Sequence, residues 1–326
     1  MSSSRHRSIG IHRQPVPERY FVLARLLQVV ALLLIACAAF LSIRLWSWSP
    51  FWAVAVSLGI VFGYSATLAV QCTAIRYINR ADPAPLATRL QLLRAWWQET
   101  AVAARVFFWW QPFWSSRFPD RIASGHSRQG VRGVVLVHGF LCNRGVWTHW
   151  LPALDARDVP YCAVNLEPLF GSIEDYAAIL DAAVHRMEAA TGLAPLIVCH
   201  SMGGLVVRAW LQARDADRRV GRIVTIGTPH RGTVIGSRLP RRAWLTNAEQ
   251  MRYSSPWLVA LAQQEQIDRR RKFVCYYSNC DNIVAPTSSA TLPDADNRFV
   301  DGVPHLALVL EPRILRETLT LLGSEE

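Results

Sequence analysis

The sequence predicts an α/β domain, a mostly parallel β-sheet flanked by helices, preceded by two transmembrane helices. Three observations predict it. Over residues 131–326, short apolar runs that end at turn residues alternate with longer helical stretches. Near the N-terminus two stretches carry no charge, 18 residues from Leu26 to Ile43 and 31 from Leu45 to Ile75. The net charge of +11 is unevenly placed: residues 1–130 hold 14 Arg against 4 acids, whereas residues 131–326 hold 21 basic and 20 acidic residues, so the basic character belongs to the N-terminal part.

Residues 1–80 are expected to form an N-terminal arm and a two-helix membrane hairpin. Crossing roughly 30 Å of hydrocarbon takes about 20 apolar residues, and both stretches qualify if Arg25 and Arg44 snorkel at the ends of the first. Trp46, Trp48 and Trp52 surround the short link, as interfacial aromatics do. Pro50 begins the second helix, where its missing N–H is tolerated. Three other readings stand beside this one: a signal peptide, buried soluble helices, or a cleaved first segment followed by a single anchor. Arg5, Arg7, Arg13 and Arg19 precede the hairpin and Arg76, Arg80, Arg89 and Arg94 follow it, while the link carries only Arg44. That asymmetry places both outer flanks, and the rest of the chain, on the cytoplasmic side.

Residues 81–130 form a connector. In residues 86–114 Arg89, Arg94 and Arg105 alternate with Trp96, Trp97, Phe107, Phe108, Trp109 and Trp110. Such a segment can lie along a membrane surface or pack beneath the following domain. Residues 115–130 read as a linker or surface loop. Arginines interleaved with long apolar runs do not make a nucleic-acid-binding surface. The seven cysteines, Cys37, Cys72, Cys142, Cys162, Cys199, Cys275 and Cys280, include no C-x-x-C pair, so neither a metal site nor a disulfide framework is expected.

Within residues 131–326, "GVVLVHGF" (133–140), "PYCAVNL" (160–166), "PLIVC" (195–199), "RIVTIGTP" (222–229) and "KFVCYYS" (272–278) read as strands. Helices are expected over 172–192, with Ser172 as N-cap and Gly192 as C-cap, over about 202–214, and over most of 305–322. In such sheets ligands bind beyond the carboxyl ends of the strands, and His138, Ser201, His230 and Asp281 each lie just after a predicted strand.

Ser201 sits in "PLIVCHSMGGL", where a strand meets a helix. A serine hydroxyl becomes a nucleophile only with a base in reach and a carboxylate that orients the base. A tight strand-to-helix turn also exposes the hydroxyl, and it requires small residues two before and two after the serine. Gly203 and Gly204 meet the second requirement. Cys199 meets the first with a small side chain, expected to be buried and inert.

"VHGF", "CHSMGG", "TPHRGT" and "GVPHLAL", in this order, resemble the α/β-hydrolase fold and, more narrowly, the bacterial lipase and esterase group whose serine motif is usually G-H-S-M-G-G. "NLEPLFGSIEDYA" (165–177) resembles the segment that such enzymes carry before their second helix. The resemblance spans roughly residues 131–322, departs from the pattern at Cys199, and does not reach residues 1–130. It implies a lipase- or carboxylesterase-like serine ester hydrolase without cofactor or metal; the hairpin adds an anchor, expected in the bacterial inner membrane, and with it a lipid or other hydrophobic ester as substrate. The triad order Ser…Asp…His then makes Ser201 the nucleophile, Asp281 the acid and His305 the base, with Asp294, Asp296 and Asp301 as rivals for the acid. The oxyanion hole falls to the N–H groups of Met202 and Phe140, with Leu141 as the alternative to Phe140. Gly139 permits the close turn and His138 supports the loop. His200 is expected to point into the sheet, and His230 to shape the loop after its strand.

The stretch 231–271 is long enough to form a lid, with Trp244, Met251, Trp257 and Leu258 toward an acyl chain, or else a surface excursion. The same triad would serve an acyltransferase or thioesterase. A non-catalytic binding module on a hydrolase scaffold is a second class. A membrane scaffold or transporter component is a third, although the two spans offer no internal charge for a polar path.

Overall fold

The computed structural model describes residues 22–122, 129–235 and 245–323. Arg5, Arg7, Arg13, Arg19, Arg241, Arg242 and Trp244 lie outside the described residues, as does part of the segment read as a lid.

Two long helices, α1 (Val22–Trp46) and α2 (Pro50–Ile78), form a hairpin. Ser49 caps α2 by accepting from Trp52 N, and Pro50 takes the first turn, where no intrahelical N–H is needed. Ser57 Oγ joins the helices by donating to Ala38 O at 3.2 Å. Leu32, Leu33, Ile35, Phe40 and Ile43 of α1 and Phe51, Val54, Leu58 and Phe62 of α2 are uncovered. Both helices are long and apolar enough to cross a membrane by length and composition.

The base of the hairpin is tied to a third helix, α3 (Arg89–Arg105). It opens on a capping box in which Thr88 Oγ1 accepts from Gln91 N and Gln91 Oε1 accepts from Thr88 N. Tyr64 OH donates to Thr100 O at 2.9 Å, and Trp96 Nε1 donates to Ser65 O at 2.8 Å. Leu92, Ala95, Glu99, Val102 and Ala103 recur at helical spacing and form the buried stripe of α3. The aromatic segment packs in part beneath the domain. Val106 packs beneath the sheet with Trp147 and Trp150, whereas Trp97, Trp109 and Phe113 remain exposed.

The sheet holds β1 (Val134–Val137), β2 (Tyr161–Ala163), β3 (Leu196–His200), β4 (Ile223–Ile226), β5 (Phe273–Tyr277) and β6 (Asp296–Phe299). All neighbours are parallel, in the order β2-β1-β3-β4-β5-β6. Strand residues alternate between two cores. Val135, Val137, Ile197 and Cys199 face the helices Ala177–Thr191 and Met202–Arg214. Val134, Leu136, Leu196 and Val198 face Trp147, Trp150, Leu308 and the α3 residues Val102 and Ala103. Burial on both faces accounts for the continuous apolar runs.

Two helix expectations change. The helix expected from Ser172 begins at Ala177. Residues 172–176 form a turn pinned by fully buried Ile173 and Tyr176, with Ile173 N donating to Gln250 Oε1 at 2.8 Å. The C-terminal helix is two helices, His305–Leu310 and Pro312–Gly323, because Pro312 cannot donate to the preceding turn. Strand β6, "DNRF", has no apolar run because this edge of the sheet is left largely uncovered. In the stretch 231–271, Met251 and Leu258 are buried in the same core as Val206 and Trp210 rather than turned toward a ligand, and Trp257 Nε1 donates to Glu174 Oε1 at 2.9 Å.

Candidate active site

The chain leaves β1 for the edge strand β2 and returns to β3 on the other side of β1, so the carboxyl ends of β1 and β3 flank a topological switch point. Ser201 stands there, directly after β3, with φ 53° and ψ −125°. This conformation is strained for any residue with a side chain. It is held from three directions: Ser201 N donates to Ile226 O at 2.9 Å, Gly204 N donates to Ser201 O at 3.2 Å, and Thr228 Oγ1 donates to the same carbonyl at 2.8 Å. A side chain at Gly203 would meet Val137 O at 2.5 Å, and one at Gly204 would meet Thr228 Oγ1 at 2.3 Å, so the elbow requires both glycines. Cys199, two residues before the serine, points into the core, where burial pushes its thiol well above the ordinary range.

His305 and Asp281 meet at the same end of the sheet. His305 Nδ1 lies 2.9 Å from Asp281 Oδ2. The other carboxylate oxygen accepts from Ile283 N at 2.9 Å and Val284 N at 2.7 Å, which fixes the carboxylate toward the imidazole. Burial disfavours the imidazolium, but the Asp281 charge and hydrogen bond, together with the Glu99 charge, more than offset it, and the His305 pKa rises above the ordinary value. Gly227, the residue after Ile226, packs on this pair: a Cβ there would sit 3.0 Å from Asp281 Oδ2 and 3.2 Å from His305 Nδ1. Ser201 and the pair therefore adjoin the same end of β4. The rival acids are engaged elsewhere, Asp294 with Arg270, Asp296 with Arg298, and Asp301 with Gln91 and Asn279.

The turn after β1 brings Gly139 against Ser201. His138 holds it through both ring nitrogens: Nδ1 pairs with Gly139 O at 2.8 Å, and Nε2 accepts from Leu166 N at 3.0 Å. Burial lowers the His138 pKa to about 4, against the pull of the Gly139 bond, so the ring stays neutral and keeps these roles. Met202 opens the helix behind the nucleophile, which puts its N–H at the positive end of the helix dipole.

His200 does not point into the sheet. Its ring lies against that of His305, with centroids 4.7 Å apart. Burial holds its pKa well below the ordinary value, so it presents a neutral face to the neighbouring ring. His230 turns inward: Nε2 lies 3.2 Å from Thr225 Oγ1, and its carbonyl accepts from Arg208 at 2.7 Å. Sequence reasoning missed Glu99, whose carboxylate accepts from Leu306 N, the residue after His305. Its one signal is an acid at helical spacing with the apolar positions Leu92, Ala95, Val102 and Ala103 of α3.

The Alpha/beta hydrolase family profile matches residues 134–319. No curated protein matches the chain. Among solved structures, the chain is similar to the mature form of Bacillus licheniformis lipase BlEst2, at 17% identity and TM-score 0.53, over 62% of this chain and 96% of that one. It is also similar to Aspergillus fumigatus lipase B, at 17% identity and TM-score 0.52, over 62% of this chain and 54% of that one. The chain thus spans about half the length of the Aspergillus lipase. At this identity the likeness is one of fold. The family match runs from β1 through most of the last helix, more than half of the chain, and the chain therefore belongs to the alpha/beta hydrolase family.

Proposed function

We propose that the chain is a membrane-anchored serine hydrolase that cleaves carboxylic esters of hydrophobic acyl groups. The observation that carries this reading is the 2.9 Å approach of His305 Nδ1 to Asp281 Oδ2 beside the strained turn of Ser201. In the reaction, Ser201 Oγ attacks the ester carbonyl carbon as His305 Nε2 takes its proton. The negative oxygen that develops faces the N–H groups of Met202 and Phe140. His305 then gives the proton to the departing alcohol, leaving an acyl-serine. Water repeats the sequence, releases the acid and restores the hydroxyl. Asp281 keeps the imidazole in the Nδ1–H tautomer and stabilises its charged form.

The uncovered apolar hairpin and the lipase neighbours support a lipid or lipid-like ester presented at a bilayer. In this reading the hairpin of residues 1–80 is the anchor, residues 81–130 join it to the catalytic domain of residues 131–326, and the arginine flanks support a cytoplasmic position for that domain at a bacterial inner membrane. Fluorophosphonate labelling of the wild type and of Ser201→Ala, followed by p-nitrophenyl esters of increasing chain length, tests the nucleophile and the acyl preference together. Undiminished ester hydrolysis by the Ser201→Ala protein would refute the assignment.

A further inference from the structure

The segment outside the family match reaches into the candidate site. Glu99 of α3 is 1% exposed, a cost that a carboxylate bears only with partners. Its partners are the main-chain N–H groups of the two residues that follow His305. Leu306 N donates to Oε1 at 3.0 Å and to Oε2 at 3.1 Å, and Ala307 N donates to Oε2 at 3.3 Å. The N–H of His305 itself donates to Asn282 Oδ1 at 3.2 Å, and Asn282 Nδ2 donates to Gln71 Oε1 of α2 at 3.0 Å. Three consecutive backbone donors at the imidazole are thus held, directly or through one side chain, by residues of α2 and α3.

We propose that Glu99 is a positioning residue for His305, so that the hydrolase site is completed by the helix that links it to the hairpin. This rests on the reading of His305 as general base. The carboxylate fixes the backbone from which the imidazole projects, and its negative charge favours the imidazolium formed when Ser201 loses its proton. The charged and titratable groups around the imidazole are Asp281 from the loop after β5, His200 from β3 and Glu99 from α3. Glu99 in turn faces His305, Asp281 and Cys72 of α2. Burial raises the Glu99 pKa to about 7, against the pull of the Leu306 bond and of His305, so its charge varies in the range where the base works. A carboxylate present only to pack α3 against the domain would influence folding but not the titration of the base.

The test is the rate of fluorophosphonate inactivation from pH 5 to 9 in the full chain, split into reagent affinity and maximal rate, with thermal unfolding as the control for folding. Glu99→Gln keeps the size and an acceptor but removes the charge. The acid limb is expected to move to lower pH by about half a unit to one unit, because the imidazolium loses a stabilising charge. Glu99→Asp keeps the charge but withdraws it by one methylene. It is expected to leave the limb in place and to lower the maximal rate about tenfold at unchanged affinity. A wild type that labels at Ser201, with a Glu99→Gln limb and rate superimposable on it, overturns the role of Glu99 alone. Should Glu99→Gln not fold, a wild-type rate in folded Glu99→Asp overturns it equally. A wild type that does not label at Ser201 overturns the serine-hydrolase reading, and this role with it.

Discussion

The backbone of Gly139 presses directly on Ser201: a methyl group added to the glycine would lie 2.7 Å from the serine Cβ and 3.3 Å from Oγ. The turn that carries Phe140, the oxyanion donor of the proposed mechanism, lies this close to Ser201 because residue 139 lacks a side chain. Gly139→Ala should therefore push the turn away from the nucleophile and reduce kcat for ester hydrolysis by about 10²-fold or more, the loss typical of one missing oxyanion donor. The turn lies at the rim of the sheet, so the thermal midpoint should change little. Steady-state kinetics with circular dichroism separates the two effects.

Cys199 occupies the position where the lipase motif usually has glycine, yet its side chain is fully buried in the core that faces the helix Met202–Arg214. Restoring glycine should remove packing rather than strain. Cys199→Gly is expected to cost about 1–2 kcal/mol of stability through the cavity and the added backbone freedom. No gain in turnover is expected. Urea unfolding followed alongside esterase activity checks both, and the native thiol should resist alkylation.

Arg208 and Glu265 form an ion pair at 2.6 Å with side chains 0% and 1% exposed. Arg208 also donates to His230 O, which fixes the loop after β4. Glu265→Ala leaves a guanidinium buried without its counter-charge and should cost about 3–5 kcal/mol. Arg208→Met combined with Glu265→Leu should recover much of that loss, because the pair is replaced by apolar volume. A chemical-denaturation series on the three variants decides the matter.

The pH dependence has a definite sign. In the proposed mechanism His305 must be neutral to accept the serine proton, and its pKa is raised above 6.5, so kcat/KM should fall as pH drops through that raised value. Stability runs the other way. The folded protein binds this proton more tightly than the unfolded chain, so the contribution is fully present below pH 6.5 and is lost as pH rises through the folded pKa. Glu99, raised from 4.5 to about 7, adds a loss of the same sign between those two values. Asp281→Asn should abolish most of the His305 shift and lower kcat by about 10⁴-fold. Activity and thermal midpoints measured across pH 5–9 should therefore slope in opposite directions.

The candidate nucleophile, base and acid were legible because each follows a short apolar strand or stands in a motif with local spacing. The parallel core strands were legible for the same reason, since burial on both faces leaves a continuous apolar run. β6 escaped because an edge strand can be polar, and the start of the helix at Ala177 escaped because the turn before it is fixed by Gln250, a residue distant in sequence.

The sequence by itself determined that an apolar hairpin precedes an α/β domain and which side chains stand at the strand ends. Those properties follow from periodicity and from turn chemistry, which act over a few residues. Only the tertiary structure decided that His200 lies on His305, that Met251 and Leu258 belong to the core, and that Glu99 reaches the backbone beside the base. Glu99 and Leu306 are 207 positions apart, and nothing local in either segment encodes their meeting. It comes from the burial of an amphipathic helix against one edge of the domain, which sets a carboxylate where two main-chain donors need an acceptor.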